Sequence, residues 1–88
     1  MNKNQQRLGF VGIIVEDRKI CSGAVNDVLS QFSDLILART GLPNVKGDTS
    51  IITLVIDATT DELGNLTGKL GNIQGVSVKS GLAKSKSQ

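Results

Sequence analysis

Cys21 is the single thiol of an 88-residue chain that contains no histidine, and these two facts bound the chemistry open to it. A cysteine or serine nucleophile needs a neighbouring base, most often histidine, and the chain supplies none. Zinc, nickel and copper sites are built on histidine and cysteine, so one thiol cannot hold such a metal. A four-thiolate iron–sulfur cluster is out of reach of a single chain for the same reason. Cys21 also falls on the apolar side of a helical pattern, where cysteine serves as a small core residue. Asp57, Asp61 and Glu62 stand close in sequence. Paired carboxylates can exchange protons with a substrate. Asp61 and Glu62, however, follow Thr59 as acids do at a helix start, near the positive end of the helix dipole. The inventory therefore predicts a non-enzyme with no catalytic residue, no metal and no cofactor.

Residues suited to binding are easier to find. Glu16-Asp17-Arg18 lies where a first strand hands over to a first helix, and the free amides of that helix could hold an anion. The competing reading is that Asp17 simply caps the helix. Arg39-Thr40-Gly41-Leu42-Pro43-Asn44 offers one fixed cation beside a rigid bend. It could grip a carboxylate through paired N–H donors, or Arg39 could be an ordinary surface residue at a strand end. Gly64, Gly68 and Gly71 recur at a spacing that gathers them on one side of a helix. Three helical glycines cost roughly 3 kcal/mol against alanine. Such a sequence makes sense where another backbone comes close, in a second subunit, a ligand contact or an intrachain crossing. The expected ligand and interface residues are thus Asp17, Arg18, Arg39, Gly64 and Gly68. Gly64-Asn65-Leu66-Thr67-Gly68-Lys69-Leu70 imitates a phosphate loop but fails it. Its glycines are one residue too close, and Leu70 replaces the hydroxyl that would hold magnesium.

The elements that position these residues follow from periodicity. Arg7–Glu16 is apolar on both parities, the pattern of a central strand covered on both sides. Arg18–Phe32 changes to helical spacing, with Cys21, Ala24, Val25, Val28, Leu29 and Phe32 on one face. Leu35–Thr40 reads as a short second strand ended by Gly41-Leu42-Pro43-Asn44, since proline cannot donate to a ladder. Lys46-Gly47-Asp48 is a turn, and Ser50–Ala58 a third strand, again apolar on both faces. Thr59 and Glu62 have capping-box spacing, and Leu63, Leu66, Thr67, Leu70 and Ile73 then mark a second helix, closed by Gly75. Val76 and Val78 alternate with Ser77 and Lys79 in a half-exposed fourth strand.

The order β-α-β-β-α-β predicts an α+β, ferredoxin-like sandwich. Its antiparallel sheet has strand order 4-1-3-2, with both helices on one face. The domain is expected over 7–83, between a disordered lead-in at 1–6 and a polar tail at 84–88. Strands one and three are central, and their second apolar face is left for a partner. The core lacks tryptophan and tyrosine and has only Phe10 and Phe32 as aromatics. A domain of this length buries only ~60–65% of its unfolded surface, and association is a common source of added stability. A homo-oligomer, dimer or tetramer, is therefore expected, with a small-molecule effector or protein partner at a subunit junction.

Other partners fit less well. A net charge of +2 is a weak signal for nucleic acid. No strand carries the aromatic pair on which a sheet of this type stacks bases, so no sequence-specific nucleic-acid binding is expected of this chain alone. Leu8–Val15 is about half as long as a helix needs to span a bilayer, and Met1–Gln6 shows no signal-peptide pattern. A cytoplasmic, reducing setting without membrane contact is the expectation.

Several blocks resemble one known family. They are Ile13-Ile14-Val15-Glu16-Asp17-Arg18, Arg39-Thr40-Gly41-Leu42-Pro43, the run from Thr59 to Gly71, and Gly75-Val76-Ser77-Val78-Lys79. Together they resemble the iron-only hydrogenase system regulators, short bacterial proteins with an ACT-like, ferredoxin-type fold. The resemblance runs from about residue 8 to residue 83 and is most specific at Leu66-Thr67-Gly68-Lys69-Leu70-Gly71 together with Gly75-Val76-Ser77-Val78-Lys79. It implies a regulatory or sensor module linked to iron-only hydrogenase, the alternative being a structural adaptor that docks on another protein without a small ligand. The fold is similar to the C-terminal domain of the nickel-responsive repressor, which forms tetramers, and to ACT domains, which bind ligands at subunit contacts. The repressor's nickel site needs histidine, so that function does not transfer. A DNA-binding ribbon-helix-helix is not expected either. By analogy of fold alone, an ACT-like ligand region would fall around Glu16–Lys19 and near the second helix.

Overall fold

The computed structural model describes residues 5–84, so most of the lead-in and tail expected from the sequence lies outside the described residues. Strand β1 (Arg7–Val15) alternates sharply, with Val11, Ile13 and Val15 buried and Leu8, Phe10 and Ile14 exposed. Helix α1 (Arg18–Gln31) begins at Asp17, whose side chain accepts from the Lys19 N–H at 3.1 Å. It turns Cys21, Val25, Val28 and Leu29 toward the sheet. Ala24, expected on that face, is exposed. At 100° per residue it lies at the margin of the arc centred on Val25, Val28 and Phe32.

A short 3-10 turn (Ser33–Leu35) leads into strand β2 (Ile36–Lys46), which differs most from the sequence reading. Gly41-Leu42-Pro43-Asn44 does not end this strand; it continues through them to Lys46. The reason is position: β2 is an edge strand, where a residue without an N–H removes no ladder bond. Its register with strand β3 (Thr49–Ala58) is irregular between Leu42 and Lys46, and Asn44 and Gly47 take positive φ there. Helix α2 (Thr60–Gly71) opens with the full capping box. The Glu62 N–H donates to Thr59 Oγ1 at 3.1 Å, and the Thr59 N–H donates to Glu62 Oε1 at 2.8 Å. The helix stops at Gly71, and Gly75, at φ 86°, makes the turn into strand β4 (Val76–Leu82).

The sheet order is β2-β3-β1-β4, all neighbours antiparallel, which is the order 4-1-3-2 expected from the sequence. Both helices lie on one face. Val11, Ile13, Leu54, Ile56, Leu66 and Leu70 are fully buried between them and the sheet. Cys21 joins this core and its thiol donates to the Gln74 carbonyl at 3.2 Å, so its role is packing and a helix-to-loop tie.

Candidate functional site

A cleft of about 240 Å³ opens between α1 and the β2–β3 edge of the sheet. Arg18, Ser22 and Asn26 line it from the helix, at spacings of four that place them on one side. Arg39 lines it from β2, with Gly41, Leu42 and Pro43 beyond. Val15, Val25 and Ile52 form apolar parts of the wall, and the buried Ser50 adds a hydroxyl. Among the described residues, the lining holds two arginines and no acidic residue.

Local structure fixes the backbone at Arg18 and the guanidinium of Arg39. The Arg18 N–H donates to the Asp48 carbonyl at 3.0 Å, and Thr49 Oγ1 donates to the Glu16 carbonyl at 3.3 Å. These bonds tie the tip of the β2–β3 hairpin to the junction of β1 and α1. Arg39 pairs with Leu54 across the strands and so points to the helix side. One of its terminal nitrogens donates to Asn26 Oδ1 at 2.8 Å. A guanidinium has five N–H donors in a fixed fork, so this bond orients Arg39 and leaves donors over. Two cations with hydroxyl and amide groups in a shallow, half-apolar cleft suit a small anion.

Among the described residues, no layer covers the opposite face of the sheet. Leu8 is 58% exposed, Phe10 55%, Ile14 43% and Val55 43%. By register, Phe10 stands beside Val55, Gly12 beside Thr53 and Ile14 beside Ile51. The Phe10 ring lies over Gly81 of β4, where an added Cβ would meet it at 2.9 Å, so the glycine lets the ring lie low across the strand.

A family model described as "Iron-only hydrogenase system regulator, putative" (TM1266-like) matches residues 7–80. The chain belongs to this regulator family. A solved structure of TM1266 from Thermotoga maritima is 42% identical, with a TM-score of 0.84, covering 90% of this chain and 99% of that one. The ACT domain of GTP pyrophosphokinase from Chlorobium tepidum is 30% identical in its crystal structure, at a TM-score of 0.69, with 85% and 97% coverage. A nitrogen regulatory PII-like protein from Thiomonas intermedia, solved with ADP, AMP and bicarbonate, shares the fold at 18% identity and a TM-score of 0.52 over 88% and 90% of the two chains. A search of the curated proteins finds no match.

Within this regulator fold the residues singled out from sequence separate into two groups. Arg18 and Arg39 come together on the cleft. Asp17, one residue before Arg18, caps α1 and is absent from the cleft lining. Gly64 and Gly68 lie on the exposed side of α2, with Gly71. Among the described residues, no atom of another element comes within 4 Å of a Cβ placed at any of the three, so none of the described residues crosses the helix there. Ser22 and Asn26 were not singled out. Their signal was the i, i+4, i+8 series from Arg18, visible only once the arginine is known to sit on the first turn. Among the described residues no three His, Cys, Asp or Glu side chains gather as a metal site would need. No helix is long and apolar enough to cross a membrane.

Proposed function

We propose that this chain is a self-associating regulatory module that senses a small anion, a carboxylate or a phosphate, in the Arg18–Arg39 cleft. The regulation it serves is that of an iron-only hydrogenase system, in line with its family. One observation carries the reading: Arg18 and Arg39 share a cleft whose lining, among the described residues, has no acid to neutralise them. The size of the cleft narrows the ligand. About 240 Å³ is below the ~300–1,000 Å³ usual for drug-sized ligands, so an amino acid or small organic acid fits better than a whole nucleotide. The ACT domain from Chlorobium tepidum lends support through its likeness in fold and sequence. The exposed apolar face of the sheet supports the self-association part of the reading.

A thermal-shift screen with amino acids, small carboxylates, nucleotides and inorganic phosphate tests the reading. The expected result is a rise in melting temperature with one class, lost in Arg39→Gln and reduced in Arg18→Gln. A rise that survives both substitutions together removes the cleft as the site. The second reading is an adaptor that docks on another protein without a small ligand, favoured by the same apolar face. Silence across the screen, with a defined protein bound through Phe10 and Val55, would establish it instead.

A further inference from the structure

We propose that a second copy of this chain covers the helix-free face, sheet against sheet, about a two-fold axis that runs along the strands between β1 and β3. This deepens the self-association part of the reading above and does not depend on the anion cleft. The face is built in rows. Phe10 and Val55 make one bulky row, Ile14 and Ile51 another, and Gly12 and Thr53 a low row between them. Register adds Thr40 of β2 and Lys79 of β4 at the two ends of that low row.

A second copy can meet this face about an axis along the strands or one across them. The crosswise axis sets Lys79 against Lys79 of the other copy, and like charges facing each other oppose association. It also sets Phe10 against Ile14 but Val55 against Ile51, an uneven gap between the sheets. The lengthwise axis sets Lys79 against Thr40. It pairs Phe10 with Val55 and Ile14 with Ile51, large with small and medium with medium, so the two sheets stay evenly spaced. Sheets packed face to face in this way keep their strands within about 30° of each other.

The area suits a second copy. Four strands about 4.8 Å apart and seven residues at about 3.3 Å each make a face of roughly 19 by 23 Å, so two copies cover about 900 Å² between them. That is close to the ~1,000 Å² expected of a specific contact, at the weak end of its range. A weak, reversible dimer is the expectation.

Sedimentation of the full chain from about 1 to several hundred micromolar tests this, with Thr40 as the probe. Thr40 is exposed, so its variants leave the core intact. Thr40→Glu creates two symmetric contacts with Lys79 and should tighten the dimer about three- to ten-fold; Thr40→Lys should weaken it as much. Phe10→Lys should leave a folded monomer by circular dichroism. A dimer unaffected by Phe10→Lys lies elsewhere and overturns the proposal. So does equal weakening by both Thr40 variants, the signature of the crosswise axis. A wild-type monomer throughout overturns it too, while anion binding lost in Arg39→Gln would still stand.

Discussion

The two faces of this sheet are written in nearly the same residue types and meet opposite fates. On the helix side Val11, Ile13, Leu54 and Ile56 are sealed from water; on the other, Phe10, Ile14 and Val55 stay about half exposed. Neighbours in sequence such as Leu54 and Val55 point to opposite faces because strand side chains alternate. Their burial depends only on what the connections lay over each face. Right-handed crossovers put both helices on one side, so neither helix covers the other face. In the association proposed above, the apolar residues of this sheet would belong to two different energetic units, the monomer and the assembly.

Substitutions on each face measure how separate those units are. Leu54→Ala should cost about 2–5 kcal/mol in urea unfolding, because a fully buried side chain leaves a cavity. Val55→Ala, one residue on, should cost well under 1 kcal/mol when the protein is dilute and lower the dimer affinity instead. Equal losses in dilute protein would show that the helix-free face is buried within one chain. The two helix starts give a smaller contrast. Thr59→Ala removes the reciprocal cap of α2 and should cost about 1 kcal/mol. Asp17→Ala, at a cap with a single side-chain bond, should cost less by the same measurement.

The exposed glycines sharpen the comparison from the helix side. Gly64→Ala should stabilise the dilute protein by about 0.5–1 kcal/mol, since alanine favours the helix and its Cβ meets nothing. Weaker association in this variant, read by sedimentation, would assign a contact to the helix layer as well as to the sheet. The smallest expected change in stability is at the cleft. Arg39→Gln should alter the unfolding free energy by no more than about 0.5 kcal/mol, because it removes one exposed hydrogen bond. The same variant should abolish the thermal shift produced by an anion.

Much of the fold was legible because its signals are local. The capping box at Thr59 and Glu62 depends on four consecutive residues, and it formed as read. Period two in β4 and period 3.6 in α1 and α2 reflect the geometry of each element alone. The length of β2 was not legible. Whether Pro43 ends a strand or rides on an edge depends on the neighbour it lacks, which is a property of the sheet. The cleft was half legible. Arg18 and Arg39 were visible as cations beside bends, but nothing in a linear reading joins residues on different elements to each other. Ser22 and Asn26 became part of the site only when α1 was laid against β2.

The amino-acid order by itself determined which residues prefer helix or strand, where the helices start, and that two strands are apolar on both faces. These follow from short-range sterics, hydrogen bonding and the count of greasy side chains. Only the tertiary structure decided which of the two apolar faces is sealed and that Arg18 and Arg39 share one cleft. Both are matters of distance between segments far apart in sequence, and such distances are set by the packing of whole elements.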